Sequence, residues 1–120
     1  MLDSAVAWAG ERVQFGRLIG SFQGLKHTLA EAVTLLEPCR ALLGQAAHAH
    51  DQQADDAALL ACHLKAHVGD VSREVARMTT EAHGGMGFTD LLGLHHWFRR
   101  CAFDRQFLGT PAQCRDEAAS

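Results

Sequence analysis

Two segments of this chain carry apolar residues every three or four positions, over stretches far too long for a strand. In the cleaner one, Leu60, Leu64, Val68, Val71, Val75, Met78 and Ala82 keep that spacing throughout. Residues three and four apart share one face of an α-helix, so the pattern predicts a helix over 54–82. A second stripe, Phe22, Leu25, Leu29, Val33, Leu36, Leu43 and Ala47, predicts a helix over 21–50, with Pro38 inside it. At about 1.5 Å per residue each rod is on the order of 40 Å long. The polar Asp51-Gln52-Gln53 separates them, so they should fold back as an antiparallel pair.

Shorter helices flank this pair. Leu2, Val6, Ala9 and Val13 predict one over 2–13, and Leu94, Trp97, Phe98, Cys101 and Phe107 predict another over 91–107. Residues 14–20 hold two glycines and read as a connection. Past Leu108-Gly109-Thr110-Pro111 the chain turns polar and is expected to fray. The expected fold is all-α, an up-and-down four-helix bundle in a single domain spanning 1–120. Apolar stripe left over on the long helices would be covered by self-association or by a neighbouring domain.

Composition narrows the function classes. Net charge is −3, which gives none of the basic footprint of a nucleic-acid binder. No apolar run approaches membrane-spanning length, and no secretory leader reads at the start. Cys39, Cys62, Cys101 and Cys114 are scattered without paired spacing, which fits a reduced, cytoplasmic protein. Cys62 and Cys101 are expected as small buried hydrophobes, and Trp8, Phe22, Trp97 and Phe98 as core or interface residues. His63 and His67 stand at i, i+4 with Asp70 a turn further on, a spacing able to hold zinc. No third ligand is fixed, so no metal site is expected.

Function is arguable at two places. One is Glu81-Ala82-His83-Gly84-Gly85-Met86-Gly87-Phe88-Thr89, with three glycines in four residues at the end of the long helix. A plain helix stop needs one glycine. The other is Arg12-Val13-Gln14-Phe15-Gly16. On residue type alone the first also reads as a simple connection, and Arg12 as a surface ion-pair partner.

Taken together, these motifs resemble the C-terminal helical domain of the acyl-CoA dehydrogenase family. The likeness runs from Arg12-Val13-Gln14-Phe15-Gly16 through Ser21-Phe22-Gln23 and Lys26-His27 to His83-Gly84-Gly85-Met86-Gly87-Phe88-Thr89 and Leu94-His95-His96-Trp97-Phe98-Arg99-Arg100. The motifs fall in the right order with a long helical hairpin between them. The resemblance implies a FAD enzyme that removes two hydrogens from the α and β carbons of an acyl-CoA thioester. The family's N-terminal helical domain and middle β-domain have no counterpart in these 120 residues. Acyl-CoA would therefore be contacted only in part, and the chain is expected to be inactive alone.

By the same resemblance Arg12 and Gln14, with Phe15 beside them, reach the FAD of a neighbouring subunit. Gly84 and Gly85 lay backbone against it, Glu81 stands where the family often has a FAD-facing Gln, and Thr110 is a further candidate contact. A planar guanidinium suits phosphate oxygens. A carboxylate at position 81 would repel a pyrophosphate by about 1–4 kcal/mol at 4 Å unless Arg77, one turn earlier, offsets it. The implied partners are a second copy, in a dimer or tetramer, or a fuller acyl-CoA dehydrogenase subunit. The catalytic base is missing. Where many members read Tyr-Glu-Gly-Thr, this chain reads Phe107-Leu108-Gly109-Thr110, and Leu108 cannot take a proton. Other members carry the base ahead of the arginine motif. Asp90 is the nearest acid to the glycine loop and the one candidate substitute. The alternative expectation is a non-catalytic helical assembly module or partner subunit.

Overall fold

A computed structural model describes residues 1–120. Five α-helices dominate: α1 (Leu2–Glu11), α2 (Gln23–Asp51), α3 (Ala57–Ala82), α4 (Leu94–Gln106) and α5 (Pro111–Ala119). The fold is all-α and up-and-down, as the periodicity predicts. Helix α3 is its spine, packing against α1, α2, α4 and α5 in turn. The molecule measures 57 × 24 × 21 Å, so it is little more than two helices thick. That thinness explains why only 20 residues are buried.

The seam between α2 and α3 differs in detail from the expected stripe. On α2 the buried residues are Ala32, Cys39, Ala46 and Ala49, while Val33 and Leu43 face outward. Small side chains let the two backbones approach, and the larger ones lie along the flanks. Ala32 and Cys39 meet Val71, Val75 and Met78 of α3, with Leu2, Leu35 and Leu36 packed against that cluster. Cys39 and Cys114 are the fully buried cysteines, whereas Cys62 and Cys101 are only half-buried, against expectation. Burial pushes the Cys39 and Cys101 thiols up, which suits packing rather than nucleophilic chemistry. Trp97 and Phe98 are exposed, so within this chain they are not core.

Helix α4 begins at Leu94 rather than 91, because Asp90–Leu92 closes as a 3₁₀ turn and Gly93 takes φ +65°. The expected fraying tail is instead α5. Its start carries a capping box: Thr110 Oγ1 accepts from Gln113 N at 3.2 Å, and Thr110 N donates to Gln113 Oε1 at 2.9 Å. Pro111 occupies the first turn, where its missing N–H costs nothing. Its ring packs on Gly69 so closely that an added Cβ there would sit 2.9 Å from it.

An ion-pair node fastens this end. Asp70 of α3 accepts from Arg115 of α5 and from Arg105 of α4, the latter at 3.1 Å. The hydrogen bond from Arg115 is the main reason the Asp70 carboxyl sits below the usual carboxylate range, with Arg105 adding to it. A depressed carboxylate stabilises the fold above its unfolded pKa, about 4, and that help vanishes as pH falls through the folded value. Asp70→Asn should therefore lower the urea midpoint at neutral pH, with the gap to the wild type closing in acid. A gap of constant size across the acid limb would show that Asp70 contributes packing rather than charge. Asp70, the carboxylate one turn past His63 and His67, is thus engaged by both arginines.

Candidate functional site

The site is built where α1 meets the end of α3. The backbone of Arg12 leaves α1 in an extended conformation while its N–H still donates to Trp8 O at 2.9 Å. Its carbonyl then accepts from Ile19 N at 2.8 Å. Between these points Val13–Gln14 (β1) and Arg17–Leu18 (β2) pair antiparallel, Val13 opposite Leu18 and Gln14 opposite Arg17. The segment expected as a plain connection is thus a two-residue hairpin. Phe15 and Gly16 both take positive φ, +53° and +76°. Such a turn matches the right-handed twist of the strands. For Phe15 the conformation costs about 1–2 kcal/mol. It projects Phe15 from the tip, 91% exposed, with its edge toward Phe22 at 6.1 Å.

The other wall is the glycine segment. Helix α3 ends at Ala82, and Gly84–Phe88 follow as a 3₁₀ turn. The three glycines serve three different needs. Gly84 takes φ +62°, which reverses the chain. Gly87 is buried, and a Cβ added there would lie 2.3 Å from Thr80 O. Gly85 has neither requirement: its φ is ordinary and nothing lies within 4 Å of an added Cβ. Its open side faces a concavity, where a methyl would narrow the approach of anything outside the chain.

That concavity holds about 440 Å³ and is lined by Trp8, Arg12, Gln14, Ile19, Glu81, Ala82, His83, Gly84, Gly85 and Met86. Five of the sequence-derived candidates, Arg12, Gln14, Glu81, Gly84 and Gly85, are therefore brought together. No carboxylate lies within ion-pair distance of the Arg12 guanidinium, whose Cζ sits 5.7 Å over the Trp8 ring. Glu81 Oε1 accepts from Arg77 Nη1 at 2.7 Å, as the one-turn spacing suggested. Arg77 Nε in turn donates to Glu74 Oε2 at 3.2 Å.

Three candidates are not brought there. Phe15 projects from the hairpin and lines no part of the concavity. Thr110 caps α5, and its neighbour Pro111 rests on Gly69, about 20 Å down α3 from Gly84. The Asp90 side chain is 93% exposed, 3.3 Å from His95 Nδ1, and also lines none of it. Leu108, at the position of the family base, is 83% exposed with φ +59°.

Two residues of the site were not singled out from sequence. His83 is 3% exposed. Its Nδ1 donates to Thr79 O at 2.6 Å, which leaves Nε2 to accept from Ser4 Oγ at 3.4 Å. Trp8 stacks on the same ring with centroids 5.8 Å apart. Arg12, Trp8 and His83 thus form one stack joining α1 to the glycine turn. The available signal was positional: Trp8 lies one helical turn before Arg12, and His83 directly precedes Gly84.

Comparison with known proteins places this architecture. Residues 1–119 match the family model described as acyl-CoA dehydrogenase, C-terminal domain. The chain is similar to acyl-CoA dehydrogenase IpdE2 of Mycolicibacterium smegmatis, at 32% identity over 93% of this chain and 34% of that protein. It is similar to the caffeyl-CoA reductase-Etf complex subunit CarC of Acetobacterium woodii, at 29% over 91% and 28%. The solved FAD complex of PigA superposes with a TM-score of 0.90 at 27% identity, over 98% of this chain and 30% of that one. The chain thus spans about a third of the length of these relatives. With its fold and its end-to-end match to the C-terminal domain, this chain belongs to the acyl-CoA dehydrogenase family.

Proposed function

We propose that residues 1–120 form one wall of a flavin site and part of an oligomer interface in an enzyme of FAD-dependent α,β-dehydrogenation of acyl-CoA thioesters. The observation that carries this is the convergence of Arg12, Gln14, Gly84 and Gly85, from the segments before α2 and after α3, on one concavity. Their chemistry fits a dinucleotide. An unpaired guanidinium and a side-chain amide offer donors to phosphate oxygens, and the bare Gly85 backbone admits close contact. Arg12 would orient the phosphates, with Trp8 beneath it keeping the guanidinium in place. Bound FAD supplies the hydride acceptor.

The chain supplies no proton acceptor at the family position, because Leu108 stands there. We therefore assign the base, the rest of the acyl pocket and the N-terminal helical and β-domain functions to residues outside these 120, in the same subunit or in a partner. The exposed apolar side chains of the thin bundle, Val33, Leu43 and Trp97 among them, support assembly with a second copy or a fuller subunit. Four unpaired cysteines agree with a cytoplasmic setting, and acyl-CoA dehydrogenation with a place in fatty acid metabolism. No helix is long and apolar enough to cross a membrane. A second reading, a non-catalytic partner subunit, is favoured by that leucine alone.

The test is a titration of the purified chain with FAD, followed by backbone amide NMR. Shifts should concentrate at Gln14, Glu81, Gly84 and Gly85, and Arg12→Ala should weaken them about tenfold in concentration. The same sample should oxidise no acyl-CoA. FAD that leaves those amides unmoved would defeat the flavin reading, and turnover would defeat the assignment of the base to other residues.

A further inference from the structure

We propose that Glu81 reads hydroxyl groups: its carboxylate accepts from the vicinal hydroxyls of a nucleotide ligand and turns away ligands that carry phosphate at that place. The inference rests on the flavin reading of the concavity and goes beyond it by assigning what this departure from the family's glutamine does. Glu81 is the one carboxylate among the lining residues. Its Oε1 is taken by Arg77 at 2.7 Å, and Oε2 has no protein partner. Arg77 is engaged from its other side by Glu74, so Glu74, Arg77 and Glu81 form one row of ion pairs along the exposed side of α3. An ionised carboxylate only accepts, so what it recognises must donate.

The charges lining the concavity point the same way. Arg12 supplies one positive charge and Glu81 one negative. The site is balanced rather than basic. It suits a ligand with one anionic stretch facing Arg12 and hydroxyls facing Glu81, and it opposes a second cluster of phosphate charge. His83 offers no alternative, because both its ring nitrogens are occupied within the fold. A carboxylate is a general solution for a ribose diol in dinucleotide sites of another fold. FAD carries vicinal hydroxyls twice, on the adenosine ribose and on the ribityl chain, and either can be the group read.

The experiment titrates the purified chain with four probes, ADP, 2′,3′-dideoxy-ADP, adenosine 2′,5′-bisphosphate and FMN, reading backbone amides by NMR. If the ribose is read, ADP should bind about tenfold tighter than its dideoxy analogue, and Glu81→Ala should erase that ratio. Adenosine 2′,5′-bisphosphate should then bind weakly and gain on Glu81→Gln. If the ribityl chain is read, the dependence on Glu81 moves to FMN. Equal binding of ADP and its dideoxy analogue, together with FMN binding indifferent to Glu81→Ala, overturns the inference and leaves the flavin reading standing. Silence of the Gly84 and Gly85 amides toward all four probes overturns both.

Discussion

Gly87→Ala should destabilise the domain by about 3 kcal/mol, the upper end of what overpacking a close contact costs. The added methyl would stand 2.3 Å from Thr80 O, 3.2 Å from Thr80 C and 3.1 Å from His83 Cβ. Two of those atoms are backbone of the last turn of α3, so no rotamer change relieves the clash. The glycine turn must lift away from α3, and His83 with it. For a domain of this length the loss corresponds to about 10 °C in melting temperature. Gly85→Ala is the internal control. It meets nothing within 4 Å and needs no positive φ, so it should stay within about 0.5 kcal/mol of the wild type. Urea unfolding of the two variants side by side decides the matter. Equal midpoints would mean that the turn is loose and that Gly87 has no packing role.

The contrast shows what a sequence reader could and could not take from the chain. Helix α3 was legible in its C-terminal half, where burial follows the apolar row at Val71, Val75 and Met78, while Val68 is exposed and the helix starts at Ala57 rather than 54. Helix α2 was legible as a helix but not in its facing. Its contact seam is alanine and cysteine, residues whose modest hydropathy is outvoted by Val33 and Leu43 on the flank. Helix α5 was missed because the polarity of its segment reads as a fraying tail, although Thr110 and Gln113 stand at capping-box spacing. The hairpin was hidden because Phe15 adopts a positive φ that Asn or Gly would have advertised. At the site, Arg12, Gln14, Glu81, Gly84 and Gly85 could be named from motif alone. That they meet within one chain could not, since it depends on α1 folding back onto the end of α3. Thr110 failed to join them for a local reason: its hydroxyl is committed to a helix cap.

That fold-back turns on His83, and His83→Ala should cost about 3 kcal/mol, as for other large buried rings. Three separate losses add to the effect. A 3% exposed ring leaves a void, Thr79 O and Ser4 Oγ lose their partner, and Trp8 loses its stacking surface. The consequence reaches function, because Trp8 is also the platform under Arg12. With the ring gone, α1 is released from the glycine turn and the guanidinium is no longer held over the concavity. In a Trp97→Phe background, Trp8 fluorescence should shift to the red, and the FAD-dependent amide shifts at Gly84 and Gly85 should weaken beyond what stability alone explains. His83→Phe separates packing from hydrogen bonding. It keeps the stacked ring, loses both polar contacts, and should cost only about 1–2 kcal/mol while retaining most of the FAD response. If His83→Ala left Trp8 emission and the FAD response unchanged, the two walls of the site would have to be joined elsewhere. The nearest alternative is the packing of Leu2 of α1 on the cluster that includes Val71, Val75 and Met78 of α3. Should His83→Phe lose the FAD response as completely as His83→Ala, the hydrogen bonds to Thr79 and Ser4, rather than the stack, would be what aligns the walls.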